Sequence, residues 1–161
     1  MTCATAMTNT IVSVRDEQTI GDALQLLDRH SIRTLPVITA EGELVGRVDF
    51  AAVLSNLLPG PLMVDSHGDR FSLRLDYIVD EKSELDVAKH LRELLPIKIS
   101  EVMDREPKMV HRDTPLWEGI RLLVQHGSPI AVVEEGSHNL VGLVSLQSAI
   151  RELMRNIGEA T

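Results

Sequence analysis

Aromatic side chains are scarce in this sequence, with one Trp, one Tyr and two Phe in 161 residues. A core of stacked rings is excluded, and the interior has to be built from Leu, Ile, Val, Ala and Met. Cysteine occurs once, at Cys3, so no internal disulfide can form. A single cysteine suits a reducing compartment, and a cytoplasmic location is expected. Basic charge is in deficit: 16 Lys and Arg stand against 24 Asp and Glu, for a formal net charge of −8. No Lys/Arg run offsets this locally, so no nucleic-acid partner and no anionic membrane surface is expected. No apolar stretch reaches the roughly 18 residues of a membrane span. The start of the chain lacks the basic and apolar stretches of a signal peptide. P-loop, CxxC, HExxH and Ser-His-Asp patterns are missing as well. No catalytic residue and no metal site is assigned, and the protein is expected not to be an enzyme.

What is present is a repeat. The stretch from Met7 to Leu58 recurs from Met103 to Met154, 96 residues on and without a gap. Met7 falls on Met103, Val14 on Val110, Leu26-Leu27 on Leu122-Leu123, His30 on His126 and Val37 on Val133. Leu44-Val45-Gly46 falls on Leu140-Val141-Gly142. A lone unit of about 55 residues buries too little surface to be stable alone, so the copies are expected to pack together. The expected division is residues 1–58, an insert over 59–102, and 103–161.

Each copy reads β-α-β-β-α. In copy one, Ile11–Val14 is a short extended segment, and Asp16 to Thr19 offer N-caps for a helix with Ile20, Ala23, Leu24 and Leu27 on one face. Leu35–Ile38 and Leu44–Val48 form a hairpin around Ala40–Glu43, with Pro36 early in its strand or at a bulge. Phe50–Leu58 is a second helix. In copy two the segments are Lys108–His111, a helix capped by Thr114 with Pro115 at its first position, the strands Ile130–Val133 and Leu140–Val144, and a helix over Leu146–Ile157. Leu116, Ile120 and Leu123 are expected to face inward. The last helix has an apolar stripe of Ile150, Leu153, Met154 and Ile157, with Gly158 as its stop. The insert carries a candidate hairpin, Leu62–Val64 with Phe71–Leu75, and a helix over Glu84–Leu95. That helix has a stripe of Leu85, Ala88, Leu91 and Leu95, widened by Val87 and Leu94. The fold class expected is α+β, two repeats with an α/β insert.

The ordered pattern resembles a family. An early Met precedes a β-branched strand. A helix opens "TIGDALQLL" or "TPLWEGIRLL", a strand "LPVI" or "IAVV" follows, and "LVGRVD" or "LVGLVS" leads into a final helix. This resembles the CBS domain, named after cystathionine β-synthase, in its tandem pair. The resemblance implies repeats packed sheet to sheet about a pseudo-two-fold axis, leaving clefts that bind AMP, ADP, ATP or S-adenosylmethionine as regulatory ligands. It also implies association of two such pairs into a homodimer, and a report of ligand occupancy to an unknown protein partner.

In that family the last strand commonly runs into its helix as G-x-x-Thr/Ser-x-x-Asp, with the hydroxyl on phosphate and the carboxylate on ribose. Copy two reads Gly142 to Ser148. Ser145 keeps the hydroxyl, and Ser148 stands where the Asp would be, as a weaker ribose contact. Ser145 reads equally as the N-cap of the last helix. Copy one reads Gly46 to Ala52, with Asp49 at the hydroxyl position and Ala52 at the carboxylate position. Asp49 reads first as an N-cap, and a carboxylate there repels phosphate. Copy one is therefore expected to be empty, or to hold a neutral or cationic group. By resemblance the base pocket is lined by Arg33, Thr34, Leu35 and Pro36, and by Ser128, Pro129, Ile130 and Ala131. Thr10-Ile11 and Lys108 to Val110 make the other wall. His30 and His126 sit at equal helix ends, where the dipole favours His and a metal pair is the lesser reading. Asp65, His67 and Asp69 read as a solvated turn before a cation site. Trp117 reads as a packing residue or dimer contact. The helices Phe50–Leu58 and Leu146–Ile157 are the candidate dimer faces. Besides the ligand sensor, a dimeric scaffold without nucleotide and a partner-docking role for the insert helix remain open.

Overall fold

The computed structural model describes residues 1–57 and 81–160. Copy one contains α1 (Cys3–Ala6), β1 (Val14–Arg15), α2 (Ile20–Arg29), β2 (Thr34–Ile38), β3 (Leu44–Asp49) and α3 (Phe50–Ser55). Next come α4 (Glu81–Leu94) and a 3-10 turn at Ile99–Glu101. Copy two continues with β4 (Met109–His111), α5 (Leu116–His126), β5 (Ile130–Val133), β6 (Leu140–Val144) and α6 (Leu146–Ala160). The hairpin at 62–75 and the turn holding Asp65, His67 and Asp69 lie outside the described residues.

Each copy forms a three-stranded mixed sheet, ordered β1-β2-β3 and β4-β5-β6. The first two strands of each sheet run parallel and the last two antiparallel. The sheet register breaks the gapless alignment of the copies. Val37 lies beside Val14 and Gly46, whereas Val132 lies beside Val110 and Gly142. Val37 thus corresponds to Val132, not Val133. One residue more in the α2–β2 connection is offset by one more in the β5–β6 loop. Side-chain period is two in a strand, so pairing, not sequence spacing, fixes which face each residue takes. Pro36 sits within β2 opposite Arg47. It is tolerated because β1 pairs only with Val37 and Ile38, leaving no neighbour to miss the absent N–H.

Helix α2 starts in a reciprocal capping box: the Asp22 N–H donates to Thr19 Oγ1 at 3.2 Å, and the Thr19 N–H to Asp22 Oδ2 at 3.1 Å. It buries Ile20, Ala23 and Leu27 against Leu35, Val37 and Val48. A buried aliphatic side chain of this size contributes about 2 kcal/mol. In copy two, Leu116, Leu123, Ile130, Val132 and Val144 form the equivalent core, with Ile120 packed against it. Helix α5 begins one residue later than expected, with Pro115 as N-cap. Thr114 instead accepts the His111 N–H through its hydroxyl at 3.0 Å. Helix α3 is shorter than expected and ends at Ser55. Helix α6 runs on through Gly158, which is not its stop.

The stripe assigned to α6 is largely uncovered, in keeping with its place among the candidate dimer faces. Ile150, Met154 and Ile157 are 60%, 62% and 61% exposed, and the covered side is Ser148, Ala149 and Glu152, with Leu153 partly packed. Periodicity defines an apolar face without saying what it meets. On α4, Leu91 and Leu94 pack on the copy-one core while Ala88 is exposed, and Leu95, just past its end, is exposed as well.

The leading arm of each copy crosses to the other. The Cys3 N–H donates to Thr114 O at 2.8 Å, and Cys3 and Ala6 are buried in the copy-two core. Ile99 is buried in the copy-one core. Thr8 bridges Leu143, and Asp104 bridges Arg47. At the hairpin tips the Leu44 N–H donates to His138 O and the Leu140 N–H to Gly42 O, both at 3.0 Å. These paired equivalences express a pseudo-two-fold axis. Leu44, Ala131 and Val133 are buried together where the sheets meet.

Candidate functional site

The crossed arms leave a crevice of about 500 Å³ between the copies. Thr10 and Val12 supply one wall from the copy-one arm, and Ile32, Arg33 and Thr34 lead into β2. Ser128 and Pro129 lead into β5, and Leu143, Ser145, Leu146 and Gln147 come from β6 and the first turn of α6. The volume falls within the roughly 300–1,000 Å³ of small-molecule pockets. Its walls are apolar at Val12, Ile32, Pro129, Leu143 and Leu146. Arg33 is the one charged side chain among the lining residues.

The start of α6 is already capped from within. The Ser148 N–H donates to Ser145 Oγ at 3.0 Å, and the Ser145 N–H to Ser148 Oγ at 2.9 Å. The Ser148 hydroxyl donates on to Ser145 O at 3.2 Å. The Leu146 N–H donates to Ser128 Oγ at 3.2 Å. Ser148 is 5% exposed and does not line the crevice. The Ser148 hydroxyl is engaged in this backbone cap and is not presented to the crevice. A serine is short enough to fold back on the first turn and close this box. Both roles written for Ser145 coexist, because its oxygen caps the helix while the residue lines the crevice.

A second, narrower cleft lies on the copy-one side, with room for about 20 Å³. Thr34, Pro36, Arg47, Lys108, His126 and Ala131 line it, together with Pro129, Ile130 and Leu143. Thr34, Pro129 and Leu143 belong to both depressions. Asp49 lines neither. Its Oδ1 accepts the Ala52 N–H at 2.8 Å as the N-cap of α3. Val110 is buried in the copy-two core and does not form a wall. Of the residues singled out in the sequence, Thr10, Arg33, Thr34, Ser128, Pro129 and Ser145 come together in the crevice. Pro36, Ile130 and Ala131 lie on the cleft side with Thr34 and Pro129. Val12, Ile32, Leu143, Leu146 and Gln147 were missed. Leu143 follows a glycine that the fold places under Met7, and that signal is legible only once the arms are seen to cross.

Two groups elsewhere are electrostatically perturbed. Glu152 is buried on α6 against Arg155, whose Nη2 lies 2.6 Å from Oε1. Arg155, with Asn156 and Thr5, holds its carboxyl below the usual range against the opposing effect of burial. Burial pushes the Cys3 thiol up, and the Glu118 carboxylate adds to this. No cluster of three or more His, Cys, Asp or Glu suited to a metal occurs among the described residues. No helix among them is long and apolar enough to cross a membrane.

The family model for the CBS domain matches residues 3–58 and 99–155, more than half of the sequence. The chain belongs to the CBS domain family. The crossed arms and paired mixed sheets are thus those of a CBS pair. A curated relative, Uncharacterized protein MJ1426 of Methanocaldococcus jannaschii, is 23% identical over 153 residues, covering 89% of this chain and 86% of its own. The CBS-pair protein CBSX2 of Arabidopsis thaliana superposes with a TM-score of 0.70 at 22% identity, over 96% of this chain and 95% of that one. CBSX2 solved in complex with AMP gives 0.66 at 23% identity, over 96% and 97%. The CBS domain pair of protein MJ0100, in complex with 5′-methylthioadenosine and S-adenosyl-L-methionine, gives 0.60 at 19% identity, over 95% and 99%.

Proposed function

We propose that this CBS pair is a non-catalytic regulatory module that binds an adenosine-containing ligand in the crevice between its repeats and relays occupancy to a protein partner. The observation that carries the reading is the crevice itself. It is large enough for a nucleoside, apolar on its walls, and rimmed by Thr10, Ser128, Ser145 and Gln147. Adenine needs an apolar slot and a few hydrogen bonds, so the scarcity of aromatics is no obstacle. Structural neighbours that hold AMP or S-adenosyl-L-methionine support the same ligand class. Both repeats line the crevice, so a ligand that fits one mutual arrangement better than another shifts the pair toward it. The module is assigned to the cytoplasm on its single free cysteine, which is buried.

The test is thermal denaturation with AMP, ADP, ATP and S-adenosylmethionine. A ligand that binds the folded state raises the melting temperature with concentration. Flat responses to all four remove the reading.

A second reading, a dimeric scaffold without nucleotide, is favoured by one observation. The Ser145 and Ser148 hydroxyls satisfy each other's backbone and leave no carboxylate for a ribose. Both readings include a homodimer. The exposed Leu146, Ile150, Met154 and Ile157 on α6, with Trp117 and Val124 on α5, are the surface a second copy would cover.

A further inference from the structure

We infer that the start of α5 around Trp117 is a docking surface for an amphipathic helix of a partner protein, and that this helix presents leucines at i, i+3 and i+4 as the end of α4 does on copy one. The inference names the class of partner left open above, and it holds with or without a nucleotide in the crevice.

The pseudo-symmetry supplies the template. On copy one, α4 ends against the first turn of α2. Leu94 is buried in the same core as Ile20 and Leu57, with Leu91 packed against it. Leu95 O accepts the Gly21 N–H at 3.0 Å, Ile97 O accepts the Ile20 N–H at 2.9 Å, and Lys98 bridges Thr19. On copy two the arm repeats the last two of these contacts at the 96-residue offset. Met1 O accepts the Leu116 N–H at 3.1 Å, Thr2 bridges Pro115, and Cys3 is buried as Ile99 is. By the same offset, no described residue corresponds to Leu91, Leu94 or Leu95.

Copy two accordingly exposes what α4 covers on copy one. The Trp117 N–H, counterpart of the Gly21 N–H, meets no acceptor among the described residues. Leu57 is 6% exposed, whereas its counterpart Leu153 is only partly covered. Trp117 is 67% exposed and is the single tryptophan of the chain. The same approach of a helix is sterically open here. A Cβ at Gly21 would meet Leu95 O at 3.4 Å and Leu95 Cβ at 3.8 Å, which is ordinary contact. The Cβ of Trp117 therefore admits a carbonyl and a leucine at the matching place. The indole then lies against the incoming helix as the kind of aromatic anchor that dominates interface energies. Apolar grooves of this sort read a helix through side chains three and four residues apart. The chain's own helix of this pattern already lies on copy one, so the occupant comes from a partner. Of the apolar residues offered above to a second copy, Trp117 goes to this helix, and the α6 face stays with the copy.

Trp117 reports on the surface directly through its fluorescence. Titrating the full chain with a synthetic peptide of residues 81–96, which holds no Trp or Tyr, should move the emission to shorter wavelength and saturate. The Leu91→Glu/Leu94→Glu peptide should leave it unmoved. An isolated helix of this length is marginal in water, so a second arrangement raises its local concentration. Residues 81–96 are placed directly ahead of Met1, in the register of the offset. That chain should show the shift without added peptide, and should melt at a higher temperature than its form with Leu91→Glu/Leu94→Glu in the added segment. With a fluorescein-labelled peptide, Trp117→Ala should weaken binding at least about tenfold. No shift in either arrangement, equal shifts with the Glu-bearing sequence, or binding that Trp117→Ala leaves intact overturns the proposal. So does emission that moves with the concentration of the chain alone, which would assign Trp117 to a second copy. No readout here contains a nucleotide, so the adenosyl reading stands or falls separately, on the melting response to its four ligands.

Discussion

Gly46→Ala should be among the most damaging small substitutions in this protein, and its mirror Gly142→Ala should hurt less. A methyl group at Gly46 would lie 2.6 Å from Met103 Sδ, 2.9 Å from its Cγ and 2.8 Å from Asp104 O. At Gly142 the neighbours are Met7 Sδ at 2.6 Å, Met7 Cγ at 3.0 Å and Thr8 O at 3.0 Å. Carbon contacts are optimal at about 3.5–4.0 Å, so both sites are overpacked. A methionine can swing aside, but the Asp104 carbonyl cannot. It accepts the Arg47 N–H at 3.0 Å, while the Asp104 N–H donates back to Arg47 O at 2.8 Å. Neither glycine has positive φ, so the cost is steric rather than conformational. Overpacking costs about 1–3 kcal/mol, and we expect about 2–3 kcal/mol for Gly46→Ala and about 1–2 kcal/mol for Gly142→Ala. In urea denaturation at constant m-value, adding Met7→Ala should recover about 1 kcal/mol of the Gly142→Ala loss. Met103→Ala should recover little for Gly46→Ala, because the carbonyl remains. A Gly46→Ala variant within about 0.5 kcal/mol of wild type would refute the crossing of the arms, and equal rescue on both sides would show that the Asp104 carbonyl yields as readily as the Thr8 carbonyl. The crossing matters to function because the arms carry Thr10 and Val12 to the crevice and Lys108 to the cleft.

Three further outcomes follow from single contacts. Asp49→Ala removes the α3 cap and should cost about 1 kcal/mol in equilibrium unfolding; an unchanged midpoint at constant m-value would show that the cap does not hold the helix. Ile150→Lys/Met154→Lys should shift sedimentation from dimer to monomer, and an unchanged sedimentation coefficient would move the interface elsewhere. Glu152 has its folded carboxyl pKa lowered, chiefly by Arg155, from a reference of 4.5. Its contribution to stability is therefore present above about pH 4.5 and fades as pH falls through the lower folded value. The melting-temperature gap between wild type and Glu152→Gln should be constant above that pH and close below it, and a gap that widens in acid contradicts the sign.

Much of the fold was legible because local signals agreed. The Thr19 cap before an apolar face, Gly42 in a turn at φ +91°, and alternating strands each specify one conformation. Thr34, Ser128 and Pro129, which line the crevice, were legible through their place in the repeat. Asp49 was legible as the N-cap it is, while Ser148 shows that a hydroxyl at a helix start serves either the backbone or a ligand with the same spacing for both. The α6 stripe was legible as an apolar face, but a period of 3.6 does not say what that face meets.

By itself, then, the sequence determined the repeat, the element order and the Leu/Ile/Val/Ala/Met core, all of which depend on residues near one another along the chain. Tertiary structure alone decided the exchange of arms, the correspondence of Val37 with Val132, the inward turn of Ser148 and the gathering of Arg47, Lys108 and His126. Those outcomes depend on contacts between segments about a hundred residues apart, whose geometry is set by sheet register and packing rather than by any local preference.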